Sequence, residues 1–280
     1  MFALSLLGMP LHAAPKASPE AGNVFKPDQP VIFQDDFQSG SIVRWGIAED
    51  DRYGLPTNTP ARLRVVDAPD SPAGRKAIRF FVPRAPDSFR SELSLPHEEG
   101  FHERWYAGRL LVPKEWVIER HSKGNDIVMQ WHAVPGNGKA TFPNLEISIG
   151  EDSWYVRRNF GTAHQAPTRT SDKVAPMQPG TWVSWVIHAK WSPHDDGLVQ
   201  IWKDGKILYE KSGPNVYADI GTEYTPYFKS GIYHPEWHLD TERKRTVFAA
   251  DKPDATSKTI YGTDYKIGDQ RARYEDMAPK

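Results

Sequence analysis

The strongest constraint in this sequence is a period of two. Short apolar runs in which alternate side chains are hydrophobic follow one another, cut apart by turn residues, as in KAIRFFVP at 76–83 and NLEISIG at 144–150. Alternate side chains share a face only in a strand, so each run reads as a strand with one face turned inward. Runs of this kind occupy 31–37, 61–68, 76–83, 88–96, 104–113, 125–134, 144–150, 153–160, 181–191, 197–211, 227–234 and 245–250. Asp-Gly at 204–205, inside WKDGKI, supplies the two positive-φ positions of a type I′ turn and predicts a hairpin. No stretch at the helical period competes, and no repeat or second compositional regime appears. The expectation is an all-β chain with one domain over 31–280. Hydrophobic residues make up 39% of the 280, enough for a large core.

Residues 1–30 read differently. MFALSLLGMPLHAAPKA has a short apolar core followed by Ala13 and Ala14, and PKASPEAGNVFKPDQP is rich in proline and small residues. This is a signal-like leader and linker, and it predicts a periplasmic or secreted protein. The apolar stretch is too short to span a membrane, so no membrane partner is expected. The chain has no cysteine, which excludes disulfides, thiolate metal sites and cysteine nucleophiles. A net charge of −1 with no basic stripe argues against nucleic acid and requires any polyanion site to be a local cluster.

Three of the strands carry unusual residues on their polar faces. In SFRSELSLP, Phe89, Leu93 and Leu95 point one way and Arg90, Glu92 and Ser94 the other. In DIVMQWHAV, Ile127, Met129 and Trp131 oppose Val128, Gln130 and His132. In YFKSGIYH, Phe228 and Ile232 face the core, leaving Tyr227, Lys229, Gly231 and Tyr233 on the other side. A plain solvent face carries mostly Thr, Lys, Glu and Ser. Taken singly, each residue also has an ordinary reading: Arg90 and Glu92 as an ion pair, His132 as a hydrogen-bonded spectator, the tyrosines as cover for a core edge. Arg157 and Arg158 sit on opposite strand faces, so at most one reaches the same groove; Arg157 is the candidate.

In this order, RSEL, QWH and YFKSGIY resemble the three motif strands of the jelly-roll polysaccharide lyases, a group that takes in alginate lyases, glucuronan lyases and heparin lyase I-like proteins. The resemblance spans roughly residues 31–270. Trp131 within QWH, together with HAKWSPHDDGLVQIWKDGKIL, is similar to the heparin lyase I-like and glucuronan lyase branch. The resemblance implies a β-jelly-roll sandwich (concanavalin A-like) whose concave sheet forms the substrate groove. It also implies β-elimination in a uronate polymer: the C5 proton is removed, the C4-linked oxygen leaves, and a 4,5-unsaturated end results. Arg90 and Gln130 would neutralise the uronate carboxylate. His132 and Tyr233 would handle the protons, either as base and acid or with Tyr233 in both roles. Lys229, Glu92, Tyr227 and Arg157 are the candidate substrate-binding residues. The partner would be an anionic polysaccharide, and the protein is expected to be a monomer.

The main rival is a non-catalytic carbohydrate-binding module of the same fold, which would need Arg90 and aromatic rings but not His132 and Tyr233 together. Other chemistries lack their residues. HEEGFH at 97–102 has the wrong spacing for a zincin helix, and no Gly-x-Ser-x-Gly, phosphate loop or glucanase-type carboxylate run occurs. No cofactor or catalytic metal is expected. The acids in FQDDF and SPHDDG leave room for a structural calcium ion.

Overall fold

A computed structural model describes residues 24–47, 62–85, 88–118, 125–136, 141–163, 165–237 and 255–279. Among these the regular secondary structure is almost entirely strand. In chain order the strands are β1 (Val31–Asp35), β2 (Gly46–Ile47), β3 (Leu63–Asp67), β4 (Lys76–Pro83), β5 (Arg90–Ser94) and β6 (Glu98–Glu99). Next come β7 (Glu103–Leu111), β8 (Asp126–His132), β9 (Leu145–Gly150), β10 (Ser153–Phe160), β11 (Thr168–Pro176) and β12 (Trp182–Lys190). The last are β13 (Leu198–Lys203), β14 (Lys206–Ser212), β15 (Tyr224–Thr225), β16 (Tyr227–Tyr233) and β17 (Ser257–Gly268), followed by the short helix α1 (Tyr274–Met277).

The strands form two large antiparallel sheets. One runs β14-β13-β12-β7-β17-β4-β3, with β1 paired to β17; the other runs β11-β10-β9-β8-β16-β5-β2. Runs of consecutive strands, such as β8 to β11 and β12 to β14, are joined by pairs far apart in sequence, such as β7–β17 and β8–β16, which is the Greek-key wiring of a jelly roll. The inner faces meet in one continuous core. Trp154 of β10 meets Trp185 of β12 edge-on at 5.1 Å, and Phe228 of β16 lies 6.1 Å from Tyr265 of β17. Each such ring, fully buried, contributes on the order of 1.5–3 kcal/mol. The hairpin at 204–205 forms as expected, with Asp204 and Gly205 at φ 49° and 83°. Packing begins before residue 31: Val24 and Phe25 lie against the core. The leader expected at 1–23 and the run at 245–250 lie outside the described residues.

Two strands escape the alternation rule. β11, reading TRTSDKVAP, is a sheet edge exposed along much of its length, so it carries no apolar period. β17 lies inside its sheet, but a bulge between Thr263 and Lys266 shifts its register. Asp264 sits there at φ 55°, held by Arg75 at 2.6 Å. The apolar phase therefore changes between Ile260 and Tyr265.

A second bulge corrects the phase read for β8. The register shifts between Ile127 and Met129 against β9, and between Ser230 and Tyr233 against β16. Val128 consequently joins the core, whereas Ile127 stands opposite Tyr233 and Ser148 on the outer face. Gln130 and His132 lie past the bulge and keep the outward phase.

Candidate active site

On the outer face of the seven-stranded sheet, cross-strand register gathers the motif residues. Tyr233 lies opposite Arg90, Gly231 opposite Glu92, and Lys229 opposite Ser94. On its other side β16 sets Lys229 against Gln130 and Tyr227 against His132. The row continues from Gln130 to Glu146 of β9, then to Arg157 of β10 and Ser171 of β11. The alternate residues anchor this arrangement from beneath. Trp131 is fully buried, with the rings of Tyr106 and Phe228 at 5.3 and 5.2 Å. Ser230 faces inward and shares a 2.7 Å hydrogen bond with the Tyr265 hydroxyl of the other sheet.

Side chains on an outer face are normally wet. Here Glu92, Gln130 and Lys229 are 1%, 3% and 5% exposed. The face is therefore recessed, and its polar groups are partly stripped of water. Part of the wall comes from Tyr227, which sits 4.3 Å from the His97 ring and 6.0 Å from that of His132. Another part is the chain after β8, where Gly136 donates to the Ile220 carbonyl and Thr222 to that of Val134.

Glu92, one of the residues expected to bind substrate, is engaged within the protein. It is buried, and its carboxylate accepts a 2.5 Å hydrogen bond from the Gln130 amide while Arg90 Nε lies 3.8 Å away. A carboxylate there would also repel an anionic ligand. Its effect is to aim Gln130 and Arg90. Lys229 is the opposite case. Among the described residues no carboxylate pairs with it; its ammonium lies 5.0 Å from the Tyr227 ring. A buried, unpaired cation is costly, and the site lowers that cost when an anion enters.

The field of this cation is visible in its neighbours. Burial, then Lys229 and Arg90, push His132 down to about 3, so its ring is neutral. Its Nδ1 is 2.9 Å from the Ala133 carbonyl, and the Thr141 backbone is a second hydrogen-bond partner of the ring. Burial and Lys229 also hold His97 below its ordinary value. The Arg90 guanidinium lies over the Tyr233 ring at 4.8 Å.

Sequence reasoning missed Glu146 on the groove face, and Asp126 and Lys258 in a buried ionic cluster on the inner side of the sheet. Glu146 shares the groove face, and burial pushes its carboxyl up to about 7 despite Arg157 at 3.1 Å and the charge of Arg169. The same period of two, applied to NLEISIG, places it there. Arg157 thus reaches the groove face, while Arg158 turns to the rings of Phe160 and Tyr209. The other two, Asp126 and Lys258, meet His234 at the end of β16. His234 Nδ1 is 2.7 Å and Lys258 Nζ 3.0 Å from the Asp126 carboxylate. Burial alone raises that carboxyl, but the two cations hold it below its ordinary value. No local pattern announces a contact between strands so distant in sequence.

Two of the acids considered for calcium are engaged by protein groups. Asp35 accepts from the Phe37 amide and the Trp45 indole, and Asp196 from Ser192 and Lys190. Among the described residues no group of three or more His, Asp or Glu is placed to hold a metal ion.

Two packed antiparallel sheets with a recessed polar face on one of them define a carbohydrate-active jelly-roll protein. Its family follows from the sequence itself: residues 37–260 match the polysaccharide lyase model, and the chain belongs to that family. It is an enzyme, a polysaccharide lyase. No curated protein sequence matches the chain. Among solved structures it is similar to an endo-β-1,4-glucuronan lyase from the fungus Trichoderma reesei, at 18% identity and a TM-score of 0.66 over 89% of this chain and 99% of that one. It is also similar to the cellulose induced protein Cip1, at 12% identity and a TM-score of 0.50 over 84% and 96% of the two chains. These likenesses establish the fold.

Proposed function

We propose that this lyase cleaves a uronate-containing polysaccharide by β-elimination and leaves a 4,5-unsaturated uronate at the new end. The observation that carries this reading is the buried Lys229 ammonium, without an ion-pair partner among the described residues, beside the Arg90 and Gln130 donors that Glu92 aims. That set fits a carboxylate on a sugar ring and has no use for a neutral one.

The chemistry is a proton transfer coupled to loss of an alkoxide. Arg90 and Gln130 bind the uronate carboxylate and stabilise the enolate-like charge that grows on it as the C5–H bond breaks. The electron pair from that bond forms the C4=C5 double bond, and the C4–O bond breaks toward the leaving sugar. In a gluco-configured uronate the C5 proton and the C4 oxygen lie on the same side of the ring, so one group can serve both. Two observations favour Tyr233 for that double role. Arg90, which binds the carboxylate, lies over its ring; the phenolate accepts the C5 proton, and the resulting phenol then protonates the leaving oxygen. His132, held at about 3, is a weak proton acceptor.

The polymer to assay first is β-1,4-glucuronan, the substrate in the name of the fungal lyase with this fold. Alginate and heparin-like chains complete the panel. The test is to incubate the protein with each and follow the ultraviolet absorbance of the unsaturated product. A rise with at least one polyuronate supports elimination; chain shortening that generates reducing ends without that absorbance would mean hydrolysis and end this reading.

A further inference from the structure

Tyr233 stands where its strand is least able to hold itself. It is the last residue of β16, and the register of β16 against β8 shifts between Ser230 and Tyr233. Toward β5 the pairing runs one residue further, with the His234 amide donating to the Phe89 carbonyl at 2.8 Å. Toward β8, Tyr233 faces Ile127. Alternation turns the next residue of each strand, His234 and Asp126, to the inner side of the sheet. There the two side chains meet. His234 Nδ1 lies 2.7 Å from the Asp126 carboxylate, and Lys258 Nζ of β17, in the opposite sheet, lies 3.0 Å from its other oxygen. Lys258 is fixed in turn: its ammonium donates to the Val117 carbonyl at 3.0 Å and lies 4.4 Å from the centre of the Trp116 ring. The His234 ring meets that of Trp237 edge-on at 4.6 Å. Asp126, His234 and Lys258 are 6%, 1% and 2% exposed.

A core gains little stability from such a cluster. Taking charges out of water is costly, and apolar side chains of similar volume would fill the same space as well or better. What an ionic cluster supplies and an apolar one does not is direction, because its hydrogen bonds fix one strand against another at a single register. This cluster lies immediately beneath the residue to which proton transfer is assigned, just past the point where the register of β16 slips against β8. It also reaches across the sandwich, so the end of β16 is referred to both sheets at once.

We propose that Asp126 and His234 are positioning residues for Tyr233. Their contact ties the end of β16 to β8, with Lys258 holding the carboxylate from the other sheet, and so keeps the phenol within reach of both the C5 proton and the leaving oxygen. Neither residue touches the sugar. This rests on the reading of Tyr233 as the group that moves the proton. Displacing a reacting group by about 1 Å costs on the order of 10²-fold in rate. A strand end loosened by loss of the pair therefore lowers turnover, while Arg90, Gln130 and Lys229 keep their hold on the polymer.

The test is a double-mutant cycle on the polyuronate that the parent cleaves best, with kcat and KM measured on purified, folded protein. His234→Ala should lower kcat about ten-fold or more, with KM and polymer affinity close to the parent's. His234→Gln, which keeps a side-chain N–H for Asp126, should recover most of that loss. In the Tyr233→Phe background His234→Ala should cause no further loss, because its effect passes through the missing hydroxyl. Asp126→Asn, which keeps the shape of the side chain but not its charge, goes through the same cycle and stands in for His234→Ala should that variant not fold. It should lose kcat only where Tyr233 is present. Loss by the same factor in both backgrounds, a rise in KM that accounts for the loss, or parental kcat would overturn the positioning role. A Tyr233→Phe variant at the parental rate would instead overturn the assignment of Tyr233, and this shows before any variant of the cluster is made.

Discussion

At the scale of single residues the site gathers Arg90 and Lys229 on one recessed face, which on the proposed reading hold an anionic sugar. Lys229 is buried without a carboxylate partner among the described residues, and Arg90 is only 3.8 Å from a Glu92 already engaged with Gln130. Guanidinium geometry should therefore matter as much as charge. Arg90→Lys keeps the charge but replaces a planar fork with a point donor, and it removes the flat cation over Tyr233. Turnover should fall by about 10²-fold or more, with the melting temperature close to the parent's. Near-parental turnover in this variant would show that Arg90 serves only the packing of β5.

At the scale of elements the motif strands were legible because their alternation is local. Phe228 and Ile232 face inward, so Tyr227, Lys229 and Tyr233 face out, and the structure keeps that phase. What was not legible depends on bulges and on long-range partners. The Ile127–Val128 inversion follows from an extra residue in β8, and alternation cannot show where a bulge falls. β17 was lost to its own bulge at Asp264, and β11 to exposure on both faces. Glu92 was placed on the right face, yet its burial beneath Gln130 depends on the neighbouring strands. The β16 bulge also explains a glycine in the last motif. Gly231 has φ 146°, and a Cβ there would run into the Ser91 carbonyl and Glu92 Cα, with the Phe80 ring at 3.0 Å. Gly231→Ala should cost at least about 2 kcal/mol and should reduce turnover further by displacing Tyr233. Chemical denaturation and initial rates on the purified variant check both; an unchanged midpoint would mean that the strand tolerates the side chain.

At the scale of the whole molecule, a recessed face full of polar groups ties stability to pH in two opposing ways. His132 moves from 6.5 in the unfolded chain to about 3 when folded. Between those values the unfolded chain binds more protons, so this contribution is complete above 6.5 and is lost as pH falls. Glu146 moves from 4.5 to about 7. Its contribution is complete below 4.5 and is lost as pH rises through 7. Glu146→Gln should therefore lose less melting temperature than the parent between about pH 5 and about pH 8. An identical loss in both would remove Glu146 as the source of the alkaline decline. Tyr233 packs its ring against the apolar core, so Tyr233→Phe, which keeps that ring, should leave the fold intact. The most direct measurement uses this variant: initial rates of unsaturated-uronate formation by the parent and by Tyr233→Phe, each checked for polymer binding. The parent should produce the ultraviolet signal, and Tyr233→Phe should bind the polymer while its rate falls by about 10²–10⁴-fold. A Tyr233→Phe variant releasing unsaturated ends at the parental rate would contradict the mechanism, because Tyr233 is the phenol set opposite Arg90, whereas Tyr227, on the same face of β16, lies opposite His132.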